Sequence, residues 1–436
     1  MQSDIKTDTQ MKSRQINKST LFIFIVLAFM VSTSCEKANT GKQEQTFVLF
    51  SLGYNNLSGA LKSDIEDLVN HSLSKDHKRN NLLIFSHHTV SGSNYSEKVP
   101  PVLTHVYKDK KDRVIRDTVL VMDSNTIAAS SETIRTVLEY VKENFPANRY
   151  GTLFSSHGTG WAPENYCNKP EEFDEVPEDN FWQKMGRERV IAAPLMEGTP
   201  DVKSIGVHNV TRNELIEIDI TDLANNIPMK MDYIIFDACF MGCVEVAYEL
   251  KDICDKVIFS PTEILADGMD YTTMLSYLFN GSAPDLKGFS DNYFKYYDKK
   301  SGINRSATIS LVDCNKLEAL AQACKDIFES QRSEIAEMDK SYIQGYFRER
   351  YKSIHGWFYD LESIVEHTDA NAEQIEAFKD ALNSCILYKA ATSWFMSEIQ
   401  IHEYSGLSMY LPYDDRTYLN NFYKTLKWNM DTGLVK

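Results

Sequence analysis

The chain has 436 residues, 43% hydrophobic and 25% charged, the balance of a folded globular protein. Only 12 prolines and 19 glycines exclude a collagen-like, mucin-like or extensively disordered chain. With 46 Lys plus Arg against 62 Asp plus Glu the formal charge is −16, which repels phosphate backbones and excludes nucleic acid as a partner.

The predicted elements begin with a leader. Lys6, Lys12, Arg14 and Lys18 precede the apolar run Leu21–Val31, which is about 16 Å long as a helix and too short to cross a bilayer. A basic flank, a short apolar core and the small residues Ser32, Thr33 and Ser34 read as an export signal over residues 1–34. Cys35 follows directly. This resembles a bacterial lipoprotein signal, in which the cysteine is lipidated and becomes the new N-terminus. The expected location is the bacterial cell envelope, lipid-anchored to the outer membrane or cell surface, with residues 35–45 as a polar tether.

Thr46–Leu52 is apolar and β-branched and reads as a buried strand; Asn55-Asn56 reads as a turn and Leu57–His71 as a helix. Asn81–Ser86 is a second strand. Val102–Tyr107 and Val114–Val121 form an expected hairpin at a sheet edge. A helix runs from Ser131 to about Asn144, closed by Pro146. Tyr150–Ser155, Met231–Phe236 and Lys256–Phe259 are further strands, with helices expected in Val210–Asn225 and at Met241–Leu250. Strands alternating with helices imply a mostly parallel sheet flanked by helices. Residues 316–436, with helical spacing at Leu317–Ser330 and Glu373–Leu387, read as a mainly helical C-terminal domain behind a 46–315 α/β domain.

Ligands of such sheets bind beyond the carboxyl ends of the strands. Two motifs stand there: Ser155-Ser156-His157-Gly158-Thr159-Gly160-Trp161, and Asp237-Ala238-Cys239-Phe240-Met241-Gly242-Cys243. A thiol becomes a nucleophile when a base within hydrogen-bond reach takes its proton, and an imidazole can return that proton to a leaving amine. Backbone N–H groups of Gly158 and Cys239 are candidate oxyanion donors. Cys239 is also expected near a helix N-terminus, whose dipole favours thiolate. Taken singly, a buried cysteine or a strand-end histidine is ordinary structure; the pair in glycine-bearing contexts points to chemistry. His87-His88 could flank a metal, but no third ligand is evident, and both read as surface residues. Cys243 reads as core.

The order strand–His-Gly, then strand–Asp-Ala-Cys, resembles the caspase-like cysteine peptidases, and the form SSHGTGW…FDACFMG is similar to the clostripain family. Leu49–Leu57, Ser260-Pro261-Thr262-Glu263 with Ala266-Asp267-Gly268, and Ser405–Pro412 agree with it. The resemblance implies a caspase-like fold and an endopeptidase acting on polypeptides through a dyad, Cys239 as nucleophile and His157 as general acid/base, with no third member required. It implies that Asp237 and Asp267 line a pocket for Arg or Lys on the amino side of the cut, although Met269 stands where the family often has Trp. It implies self-cleavage in the long polar insertion 163–205, with Lys184, Arg187 and Arg189 as candidate sites. No cofactor is required; calcium (Ca) assists some relatives, and the sequence holds no EF-hand loop. The alternative is a catalytically silent surface lipoprotein of the same fold that binds peptides or glycans.

Overall fold

The computed structural model describes residues 42–74, 77–91, 97–167, 170–174, 208–211, 214–281, 283–348 and 356–436. Cys35 and the cleavage candidates Lys184, Arg187 and Arg189 lie outside the described residues. Gln43–Lys436 forms one compact unit.

Its centre is a nine-stranded sheet. The strands are β1 (Gln43–Gly53), β2 (Asn80–His88), β3 (Val102–Lys108), β4 (Val114–Val121), β5 (Ala147–Ser155), β6 (Met231–Asp237), β7 (Cys254–Phe259), β8 (Thr308–Asp313) and β9 (Ile386–Ala391). Their spatial order is β9-β8-β7-β6-β5-β1-β2-β3-β4. The five central strands β7, β6, β5, β1 and β2 run parallel, and two antiparallel strands flank them at each side. In β1 every residue from Gln45 to Gly53 is buried, as required of a parallel strand covered on both faces.

Besides the short helices Met274–Leu278 and Leu361–Glu366, the described helices include α1 (Ser58–Asp67), α2 (Ser131–Asn144), α3 (Ile220–Asn226), α4 (Val244–Leu250), α5 (Leu286–Asp298), α6 (Leu317–Glu337), α7 (Ala372–Cys385), α8 (Thr417–Tyr423) and α9 (Lys427–Thr432). The Ser130 hydroxyl caps α2 by accepting from Thr133 N, and Ile134, Val137, Leu138 and Val141 form its buried face. Asn371 and Gln374 close a capping box at the start of α7. Residues 316–436 are mainly helical, yet they also supply β9 to the sheet edge and the short strand Ser408–Met409, which pairs with Tyr359–Asp360. No described helix is long and apolar enough to cross a membrane.

Candidate active site

Sheet register builds the site. Ser155 at the end of β5 pairs with Asp237 at the end of β6. His157 and Cys239 therefore each lie two residues beyond a matched pair, on parallel strands that neighbour each other about 4.8 Å apart. Beyond that pair the two chains pack backbone to backbone. A Cβ built on Gly158 would fall 2.5 Å from Cys239 O and 3.1 Å from Cys239 N. Gly158 is thus required for close approach. Gly160, with φ +64°, is required for its left-handed backbone as well, since a Cβ there would meet Phe240 O at 2.8 Å.

The Cys239 loop leaves β6 and is pinned to the segment after β7. Phe240 N donates to Thr262 O (3.0 Å) and Gly242 N to Ser260 O (2.8 Å). Phe240 takes φ +60° and stacks on Phe358 at 4.9 Å. This corrects the expected helix start: α4 opens at Val244 with Cys243 as its N-cap, so Cys239 sits in a bent loop and not at a helix N-terminus. The thiol is 0% exposed, and Ile264 N donates to Sγ at 3.1 Å.

His157 is half-buried. Its Nε2 bonds Asn56 Oδ1 at 2.8 Å, and Nδ1 is buried. Four residues on, Trp161 is packed edge-on against Tyr410 and Tyr423. Both tyrosines also hold Glu245 of α4, through Tyr410 N and the Tyr423 hydroxyl, each at 2.8 Å from Oε1. Burial raises the Glu245 pKa to about 7. The C-terminal segment thereby braces both the histidine loop and the helix that follows the cysteine loop.

Asp237 is fully buried. Its Oδ2 accepts from Ser155 Oγ (3.0 Å) and the Tyr271 hydroxyl (2.6 Å). Burial, then the Asp237 charge, keeps Tyr271 protonated and donating. Asp267 is more open; its carboxylate bonds Lys300 Nζ at 2.8 Å, and that ammonium lies 4.2 Å and 4.6 Å from the ring centroids of Tyr296 and Tyr297. Met269 is buried. A partly open cleft of ≈ 90 Å³ adjoins the site, lined by His157, Gly158, Ala238 and Met241 with apolar Leu52, Phe154, Ile220 and Leu223.

The histidine pair His87-His88 is not on the surface. β2 continues through both residues and points them to opposite faces, His87 buried and His88 half-buried. His87 stacks on Tyr54 and bonds Val99 O, while His88 bonds Ser51 Oγ. Burial, with Lys62 and His87 adding to it, lowers the His88 pKa to about 3, so it stays neutral. Among the described residues no three His, Cys, Asp or Glu side chains gather to hold a metal. The seven described cysteines are all buried and none is in a disulfide with another, Cys243 included.

The role of Asn56 escaped sequence reasoning. Asn55-Asn56 read as a turn, and nothing in its spacing showed that one side chain would leave that turn and reach across 101 residues to His157.

The sequence profile of the clostripain family matches residues 49–184 and 195–433. Among solved structures, an inactive zymogen C11 protease from Parabacteroides distasonis is 26% identical, with a TM-score of 0.70 over 91% of this chain and 99% of that one. A secreted C11 cysteine protease from Bacteroides thetaiotaomicron is 25% identical, with a TM-score of 0.70 over 90% of this chain and 99% of that one. An irreversible peptide-inhibitor complex of a secreted C11 protease from the same organism shares the fold at 23% identity and a TM-score of 0.68, over 89% of this chain and 99% of that one. No curated protein sequence matches the chain.

Proposed function

The chain belongs to the clostripain family of cysteine peptidases, and we propose that it hydrolyses polypeptides after Arg or Lys through Cys239 and His157. The observation that carries this reading is the register: the Ser155–Asp237 pair puts the imidazole and the thiol at matched offsets on neighbouring strands. In the proposed reaction the Cys239 sulfur attacks the scissile carbonyl as His157 takes its proton. The imidazolium then protonates the leaving amine, and water hydrolyses the thioester by the reverse path. The N–H groups of Gly158 and Cys239 receive the developing oxyanion.

A buried carboxylate two residues before Cys239 supports a basic preference, because an Arg or Lys head group would pair with it in a low-dielectric site once the groups covering it move. Asp267 adds a second negative charge at the more exposed end. The apolar lining of the cleft beside His157 favours a second reading, an apolar residue next to the cut, and the substrate panel must include one.

The covered thiol supports a precursor state. With Ile264 N on its sulfur and 0% exposure, Cys239 cannot meet a substrate until the Ser260–Ile264 segment moves. Cleavage at Lys184, Arg187 or Arg189 is the proposed trigger. The export signal and the spacing of Cys35 behind it support a lipid anchor, which mass spectrometry of the mature N-terminus tests.

The deciding experiment incubates the chain from Lys37, beside Cys239→Ala, with fluorogenic peptides ending in Arg, Lys, Asp or Leu, and follows both proteins on a denaturing gel. Arg or Lys turnover that vanishes in Cys239→Ala is expected. A cut near Arg187 or Arg189, absent from the variant, is the expected sign of self-activation, and calcium chelation in the same assay decides the metal requirement. Turnover of the Leu peptide alone would overturn the basic preference. No turnover, with Cys239 inert to an alkylating probe, would overturn the peptidase reading and favour a surface binder.

A further inference from the structure

The turn that follows β1 is built to hold one side chain outward. Asn55 Nδ2 donates to Leu52 O at 3.1 Å, and Leu57 N donates to Asn55 Oδ1 at 2.9 Å. Ser58 N closes on Asn55 O at 3.2 Å. Asn55 is therefore consumed by the turn itself, an arrangement Asx side chains favour. The same Leu52 carbonyl also accepts from Ser156 Oγ at 3.0 Å. One carbonyl thus ties the turn to the residue immediately before His157. Asn56 is the residue left over. It is exposed, it has no part in the turn bonds above, and its Oδ1 lies 2.8 Å from His157 Nε2.

An amide oxygen can only accept, so this bond requires the proton on Nε2 and leaves the lone pair on Nδ1. We infer that Asn56 is the positioning residue for His157. It holds the imidazole in the Nε2–H tautomer, with Nδ1 as the base, and stabilises the imidazolium while the thiol proton is in transit. The proton passes from Cys239 Sγ to Nδ1 and on to the leaving amine, while the Nε2 proton stays on the Asn56 bond throughout. The site then works as a Cys–His–Asn triad, the base oriented by a third group. This rests on the peptidase reading of Cys239 and His157.

The test compares Asn56→Ala, Asn56→Asp and, as the turn control, Asn55→Ala, on whichever peptide the wild type cleaves best. Asn56→Ala is expected to lower kcat by about 10–100-fold, with KM within about two-fold and an unchanged melting temperature. Asn56→Asp keeps the acceptor and adds charge, so it is expected to recover turnover at high pH and to move the acidic limb of the pH profile up by about one unit. Asn55→Ala is expected to lower the melting temperature instead. Ring 15N NMR in a Cys239→Ala background reads the tautomer without turnover, and the Nε2–H form of His157 is expected to lose its dominance in Asn56→Ala. Wild-type-like kcat in Asn56→Ala would overturn the inference. So would an Asn56→Asp variant with neither recovery nor a shifted limb, or unchanged ring signals. If the wild type cleaves no peptide, the peptidase reading fails by itself, and the NMR still decides whether Asn56 sets the tautomer.

Discussion

Glu245→Gln, made in a Cys239→Ala background to prevent self-cleavage, isolates one buried proton. Glu245 is fully buried on α4, and its Oε1 already accepts from Tyr410 N and the Tyr423 hydroxyl. Burial is the first cause of its raised pKa, from an ordinary 4.5 to about 7. The two titratable side chains beside it, Cys243 and Tyr423, are both pushed up, so neither ionises between pH 4.5 and 8. The folded protein therefore holds this proton over a window in which the unfolded chain has released it, and stability falls as pH rises through that window. The interval of about 2.5 pH units corresponds to about 3 kcal/mol, lost between pH 4.5 and 7 and constant above. Glutamine copies the protonated carboxyl without titrating. Urea unfolding followed by tryptophan fluorescence should give nearly equal midpoints for the parent and Glu245→Gln at pH 4.5. By pH 8 the Gln protein should be ahead by up to about 1 M urea, at a slope of about 3 kcal/mol per molar. A midpoint difference that does not change with pH would refute the assignment of the proton to Glu245.

Further outcomes follow from single contacts. Gly158→Ala drives a Cβ against Cys239 O and should cost at least about 100-fold in kcat, read by peptide turnover, while circular dichroism stays native. Gly151→Ala places a Cβ 2.1 Å from the Tyr233 ring in the core of β5 and should lower stability by about 1–3 kcal/mol or more, measured by urea unfolding. Arg348→Met strands the buried Glu263 carboxylate, which Arg348 Nε now meets at 2.7 Å; a loss of about 3–5 kcal/mol is expected, and adding Glu263→Gln should recover part of it. Lys300→Met frees Asp267 from its resident ammonium, so kcat/KM for Arg and Lys peptides should rise several-fold, more at low salt than at high.

Hydrophobic pattern carried much of the fold. The central strands announce themselves as short β-branched runs, and the serines before Glu132 with Pro146 after Asn144 marked α2 at both ends. His157 and Cys239 were legible because polar residues directly after apolar strands are conspicuous. The rest depended on tertiary packing. β8 and β9 are short edge-side strands from distant parts of the chain, and β9 begins at Ile386, inside the end of the Glu373–Leu387 run whose spacing reads as helical. The start of α4 was misplaced because the Phe240–Gly242 stretch is apolar enough for a helix, while its backbone N–H groups go to Thr262 and Ser260. The site's polar economy was equally hidden. That Asp237 is held by Tyr271 and Ser155, that His87 is packed inside with His88 half-covered beside it, and that Asn56 meets His157 are facts of register and long-range contact.

The burial of Cys239 has a bearing on the journey as well as on the chemistry. The export proposed for this chain would carry it into surroundings where thiols are oxidised to sulfenic acid or captured in mixed disulfides, and reactivity of that kind follows exposure. A sulfur with 0% exposure, capped by Ile264 N, is out of reach of peroxide and of other thiols alike. The six other described cysteines are buried too and offer no exposed thiol for a crosslink. On the proposed precursor reading, the cover over Cys239 would thus also serve as packaging, keeping the sulfur reduced until the segment above it moves.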